Sequence, residues 1–189
     1  MATVTGYWSS ASLIATQTKV WNNLSSLLNS DTSEGYVNFQ NKPSGVQWYS
    51  HIYRLYNFSQ TIPSDATITG VRFSQMGRQL YYSGTSWIGT WLKFADVASE
   101  YKNLLGAWTD TTEGIRHSDN GTFEAPSYWN VTAAEAKDAF NSTSSSDGID
   151  FYTGSYSSVF AGSCNFYSDW IRASVTYTVP NKVIFSNVL

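Results

Sequence analysis

Histidines, a cysteine and carboxylates are the side chains of this sequence that commonly carry catalysis or bind metals. The two histidines, His51 and His117, have no neighbour at a spacing typical of metal ligands, so we interpret both as structural residues. Cys164 has no nearby basic residue in the sequence that would activate its thiol, and we expect it to be a small buried residue. A single cysteine also excludes an intrachain disulfide.

The acidic residues offer two further kinds of chemistry, hydrolysis and calcium binding. Glu113, Asp119 and Glu124 lie in a segment typical of loops, and nothing marks two of them as the facing pair that a glycosidase requires. The candidate oxygen ligands for calcium are Asp119, Asn120, Asp147 and Asp150. Their acidic density is low, and Asp-Gly and Asn-Gly are ordinary turn sequences. We therefore predict no catalytic, cofactor-binding or metal-binding residue and no enzyme activity, and keep a hydrolytic surface enzyme as a third hypothesis.

The composition limits the partners of the protein. The 189 residues carry a net charge of −3, and only 13% of them are charged, so there is no basic stripe for a nucleic acid. The first residues lack a positively charged segment followed by an apolar run, and no later segment is apolar enough to span a membrane. We expect synthesis in a host cytoplasm. Aromatic residues make up 16% of the chain, which indicates sheet faces covered by protein or by a neutral ligand.

Alternating residues predict the strands that position these side chains. Ile171, Ala173 and Val175 alternate with polar residues near the end of the chain, which is typical of a strand with one buried face. Pro63 predicts a corner before a long strand from Thr67 to Tyr82, in which glycines 70 and 77 mark bulges or bends.

One short helix is predicted at about 132–141, because Thr132 and Glu135 form a capping box. Many strands, one helix and no alternation of strands with helices predict an all-β fold, an antiparallel β-sandwich of the jelly-roll type. We divide the chain into an N-terminal arm or edge segment (1–35), the sandwich domain (36–179) and a C-terminal tail (180–189). The apolar tail is expected to dock on its own domain or on a neighbour. Its candidate docking residues are Val183, Ile184, Phe185, Val188 and Leu189.

Adjacent aromatic residues are the candidate binding groups. Neighbours on a strand point to opposite faces, so one ring of each strand-borne pair leaves the core. Such a ring anchors a protein interface or stacks on a sugar, and we keep both alternatives. The candidate residues for these roles are Trp48, Tyr49, Tyr81, Tyr82, Tyr128, Trp129, Tyr152 and Tyr167.

Four segments between residues 20 and 178 resemble, in order, a domain that recurs in tailed-bacteriophage virion proteins. They are "VWNNLSSLLNSDTSEGYVNF", "LYNFSQTIPSDATITGVRFSQMGR", "YWNVTAAEAKDAF" and "DWIRASVTYT". The resemblance implies a non-enzymatic virion structural protein: a capsid decoration or cement protein, a tail or baseplate component, or a fibre domain. It implies other virion proteins as partners, a homo-oligomer, and no cofactor. The alternative is a carbohydrate-binding module that attaches to host or surface glycans.

Overall fold

The computed structural model describes residues 1–28, 33–39, 43, 45–83, 86–95, 102–103, 121–129, 139–157 and 163–180. Side chains are described for 1–28, 33–39, 43, 45–75, 90–95, 139–155 and 165–180. The strands are β1 (Ala2–Ala15), β2 (Trp21–Asn22), β3 (Gly35–Asn38), β4 (Gln47–Tyr49), β5 (Ile52–Phe58), β6 (Thr67–Ser83), β7 (Ser86–Phe94), β8 (Lys102–Asn103), β9 (Gly121–Trp129), β10 (Ile149–Ser157) and β11 (Ser163–Thr178).

The fold is all-β, which confirms the predicted class. The strand pairs are antiparallel and belong to one curled sheet of 11 strands. Within the described residues, helix is limited to a 3₁₀ helix (Leu24–Leu28) and to residues 139–141. The latter confirm the end of the predicted helix, whereas 132–138 lie outside the described residues. The jelly-roll sandwich form stays a prediction.

Strand β1 joins two halves of the sheet by changing partner along its length. Its residues Ala2 to Tyr7 pair with β11, and Trp8 to Ala15 pair with β5. The β11 half consists of β2, β3, β6, β9 and β11, and the β10 half consists of β4, β5, β7, β8 and β10. A strand that changes partner in this way makes a corner between the two halves of the curled sheet.

An aromatic core lies between the two halves. The ring of Trp8, at the point where β1 changes partner, stacks on Phe73 of β6 with centroids 6.1 Å apart. Phe73 also contacts Phe94 of β7 at 6.1 Å, and Trp21 of β2 contacts Phe151 of β10 at 6.4 Å. Burial of each such side chain stabilises the fold by about 1.5–3 kcal/mol. The shared core therefore holds the curl of the sheet.

The long strand β6 and the final strand β11 have the predicted pattern. Ile171, Ala173 and Val175 are all buried, which confirms the alternation. The register between β6 and β11 shifts next to both glycines. Thr176 pairs with Gly70 and the next residue pairs with Ile68, and a second shift follows the pair of Ser168 with Gly77. The expectation that these glycines mark irregularities is therefore confirmed. Each extra residue at a shift reverses which side chains of the strand face the core.

The predicted corner at Pro63 is tied to the end of the helix by one side chain. The Asn141 amide nitrogen donates to the Ile62 carbonyl at 3.0 Å, and the Ile62 backbone N–H donates to the Asn141 side-chain oxygen at 3.2 Å. Phe140, next to Asn141, is buried and contacts Phe58 with ring centroids 4.9 Å apart. The corner and the helix end therefore act as one packed unit.

The predicted division into domains and arms stays a prediction. Most of the N-terminal segment 1–35 lies in β1, β2 and the 3₁₀ helix, whose Leu27 is fully buried. Residues 181–189 lie outside the described residues, and with them the candidate docking side chains Val183, Ile184, Phe185, Val188 and Leu189.

Candidate functional site

The outer face of the β10 half brings together two of the predicted aromatic residues. Tyr49 of β4 and Tyr152 of β10 lie 5.4 Å apart between ring centroids, with their planes at 89°. Their sequence neighbours Trp48 and Phe151 face the other way: Phe151 is buried in the core, and Trp48 packs against it. Alternation along the strands therefore separates each pair as expected.

A third ring completes this group, which we call the ring cluster: Tyr49, Trp91 and Tyr152. Trp91 of β7 is directly opposite Tyr152 in the register of β7 and β10. The two rings stack with centroids 5.2 Å apart and planes at 10°. Tyr49 stands at 81° to the plane of Trp91, at 6.3 Å. Stacked and edge-to-face pairs of this kind are the favoured arrangements of aromatic rings.

Gly154 makes room for the ring cluster. It pairs with Tyr49 on β4 and with Gly89 on β7. A Cβ at position 154 would lie 2.7 and 2.9 Å from two carbons of the Tyr49 ring and 3.0 Å from Trp91 Cζ3. The Tyr49 ring therefore lies against the β10 backbone because position 154 has no side chain.

The hydroxyl groups of the ring cluster remain protonated at neutral pH. Burial, and to a lesser degree the charge of Tyr49, raises the pKa of Tyr152 to about 12. Burial also raises the pKa of Tyr49. The Tyr49 hydroxyl donates a hydrogen bond to Oε1 of Gln47, the first residue of β4. The ring cluster is therefore uncharged and has polar groups at its margin.

Charged residues lie two positions before Tyr152 on β10 and directly opposite on the neighbouring strands; we call these three residues the charged row. Asp150 is opposite Arg54 of β5 and Lys93 of β7. Arg54 Nε donates to Asp150 Oδ1 at 2.6 Å and Nη2 donates to Oδ2 at 3.1 Å. Arg54 binds both oxygens of this carboxylate, so Asp150, one of the oxygen ligands considered for calcium, forms an ion pair.

The other predicted aromatic residues lie elsewhere. Trp48 has the Lys19 ammonium 3.9 Å above its ring. Tyr167 is on the β11 half, where its ring centroid is 5.5 Å from that of Tyr36. The backbones of four candidates lie in β6 and β9, and their side chains lie outside those described: Tyr81, Tyr82, Tyr128 and Trp129.

Trp91 has no aromatic neighbour in the sequence, so the adjacent aromatic pairs do not include it. The signal was nevertheless present, since Leu92 and Phe94 on either side of Lys93 are typical of a core-facing alternation. Both are buried in the structure, whereas Trp91 and Lys93, which have the other parity, are partly exposed.

The residues considered for catalysis show no assembled centre in the described part of the chain. His51 Nδ1 accepts a hydrogen bond from the Gln17 backbone N–H at 2.9 Å, which is a structural contact. Across the described residues, no group of three or more His, Cys, Asp or Glu side chains could hold a metal ion. The side chains of His117, Glu113, Asp119, Asn120, Glu124 and Cys164 lie outside those described. No helix in the described ranges has the length and hydropathy of a membrane span.

Comparison of the chain with protein-family models gives no match, and neither does comparison with curated proteins or with solved structures. The resemblance to a phage virion domain therefore stays an expectation from the sequence.

Proposed function

We propose that the protein is a non-enzymatic structural protein of a phage virion, a capsid decoration, cement or tail-appendage subunit. It acts through protein–protein interfaces, as a homo-oligomer that also contacts other virion proteins. A curled antiparallel sheet around one aromatic core suits a rigid building block, and we propose that its two halves form a jelly-roll sandwich. The sequence resemblance supports the same role.

The observation that carries this proposal is an apolar edge, which we define as residues 8–15 of β1. Within the described residues, this part of β1 pairs only with β5. Leu13 and Ile14 are 52% and 44% exposed, and the edge contains neither a charged residue nor a proline. Proteins usually protect a free strand edge with lysine, proline or a bulge, because such an edge pairs readily with another chain. This edge has one register shift, between Leu13 and Ala15, but neither lysine nor proline, and its exposed apolar side chains favour docking of a neighbouring subunit.

The terminal segments are proposed to strengthen the same contacts. The predicted tail begins directly after β11, close to Ala2 because Tyr177 pairs with Ala2. Its apolar residues suit burial against a neighbour. The N-terminal segment contributes the apolar edge. Together they would let each subunit hold the next one from two strands that are adjacent in the sheet.

Sedimentation and light scattering of the purified chain test this proposal. We expect concentration-dependent oligomers, and we expect Ile14→Lys to shift them towards monomer because a charge blocks the strand edge. Val46→Lys is the matched control, since Val46 is also exposed but lies outside β1. Deletion of 181–189 should weaken assembly and leave the circular dichroism spectrum unchanged. A wild-type chain that stays monomeric at every concentration contradicts the proposal, as does full assembly by Ile14→Lys.

A further inference from the structure

The ring cluster has no part in the core between the two halves of the sheet. The buried core and the residues packed against it include Trp48 but none of Tyr49, Trp91 and Tyr152. All three are partly exposed on the outer face. Soluble proteins rarely group large rings on a solvent-facing sheet surface without a binding role. The cluster is therefore a candidate site that the structural role of the protein does not explain.

We propose that the ring cluster binds a neutral saccharide, an activity that goes beyond the structural role. One side of a pyranose ring carries mainly C–H groups, and this side packs on aromatic rings because both surfaces leave water and the C–H groups meet the negative ring faces. The ring planes of Trp91 and Tyr152 are nearly parallel, and the ring plane of Tyr49 is almost perpendicular to both. Rings in two orientations can contact a sugar from below and from the side.

Polar groups at the margin suit the hydroxyls of such a ligand. Tyr49 already donates to Gln47 Oε1, which leaves the amide N–H groups of Gln47 as donors. Tyr152 keeps its proton because its pKa is raised to about 12. A few placed polar groups among aromatic side chains are typical of ligand sites that fix the orientation of a bound molecule.

The charges around the cluster favour a neutral ligand. Arg54 and Asp150 bind each other in the charged row and so compensate each other's charge. Lys93, also opposite Asp150, is the one further cation among these three residues, whereas an anionic ligand would need a group of several cations. Residues 152 and 154 of β10, together with their opposite positions on β4 and β7, are all uncharged.

The cluster also differs from the surface that we assign to protein docking. The exposed aliphatic side chains of the apolar edge are Leu13 and Ile14. The ring cluster contains none of them. In addition, Gly154 lies opposite Gly89, and the rings of Tyr49 and Trp91 lie over Gly154, so the backbone at this position supports the two rings.

Affinity electrophoresis in gels that contain neutral polysaccharides tests the proposal. The probes are dextran, starch, mannan, galactan and β-glucan, each compared with a gel without polysaccharide. We expect the wild-type chain to be retarded by at least one of them. Trp91→Ala should weaken this retention by roughly tenfold or more, since it removes a large stacking surface. Tyr36→Ala, which removes a partly exposed ring of the β11 half, is the matched control and should be retained like the wild type.

Trp91→Leu serves as a second variant, because it keeps apolar bulk and removes the ring if Trp91→Ala does not fold. Loss of retention in a folded Trp91 variant, with retention kept in Tyr36→Ala, supports the proposal. No retardation by any of the polysaccharides overturns it, and so does equal retention of wild type and both Trp91 variants. If Trp91→Leu instead changes the oligomeric mass and not the retention, the cluster is a protein interface and the saccharide site is wrong. The oligomer measurements on Ile14→Lys remain independent of all these outcomes.

Discussion

Arg54 holds Asp150 through two parallel hydrogen bonds, and the same guanidinium also binds the turn that precedes β10. Its Nη1 donates to the carbonyl oxygens of Ser145 and Ser146 at 3.1 and 2.6 Å. Asp150 is only 2% exposed. One side chain from β5 therefore joins a buried carboxylate to the backbone of a neighbouring loop, and the planar guanidinium is the cation whose geometry allows this.

We predict that Arg54→Met destabilises the fold by about 3–5 kcal/mol, because it leaves a buried carboxylate without its counter-charge. Urea unfolding followed by tryptophan fluorescence measures the change. Asp150→Asn is the companion variant, since it removes the charge and keeps the shape. In the Asp150→Asn background, Arg54→Met should lower the unfolding free energy by much less than it does in the wild type. Equal costs in the two backgrounds would show that the two side chains are not coupled.

Gly148 gives a second prediction, because its backbone and its surroundings both exclude a side chain. Its φ is +153°, and a Cβ would lie 2.2 Å from the Leu55 carbonyl oxygen. Gly148→Ala should therefore force β5 and β10 apart and lower the unfolding free energy by more than about 2 kcal/mol. Thermal and urea unfolding measure this loss.

Gly45→Ala is the control that separates backbone strain from the steric clash. Gly45 also has a positive φ, +71°, but apart from its chain neighbours no atom of the described residues lies within 4 Å of a Cβ at that position. We expect the unfolding free energy of this variant to fall by only about 1 kcal/mol, which is the usual cost of a left-handed conformation in a residue with a Cβ. If the two variants lose equal stability, the contact with Leu55 does not limit position 148.

The sequence predicted those elements in which one local pattern continues over many residues. In β11, Ile171, Ala173 and Val175 keep one parity, so both the strand and its buried face could be predicted. Strand β1 lacks such a pattern. Trp8 is buried and Ala11, three residues later, packs against the core, so side chains of both parities contact the core in the part of β1 that follows the change of partner. No periodicity within a short window can show a change of partner.

The sequence predicted the outward direction of individual residues in the candidate site but not the contacts between them. Alternation placed Tyr49 and Tyr152 on outer faces, but their contact depends on the pairing of β4 with β10, which are about 100 positions apart in the chain. The same holds for the ion pair of Arg54 and Asp150, which are 96 positions apart. Such pairs follow from sheet topology and register, and a single sequence contains neither directly.

Tyr152 gives the last prediction, on the stability of the protein at alkaline pH. Its pKa is about 12 in the folded chain and near 10 in an unfolded one. Between these values the unfolded state loses the proton that the folded state keeps, so ionisation favours unfolding. The contribution of this group is fully present below pH 10 and decreases as the pH rises towards 12.

Tyr152→Phe isolates this effect from the other tyrosines and the lysines, which titrate in the same range. The ring and its stacking on Trp91 remain in that variant, while the ionisable hydroxyl is removed. We expect the unfolding free energy of the wild type to fall more steeply between pH 9 and 12 than that of Tyr152→Phe. Absorbance at the tyrosinate band should also show one fewer late-titrating tyrosine in the variant. Parallel pH profiles would mean that Tyr152 ionises equally easily in both states, and that the outer-face ring cluster does not shield it from water.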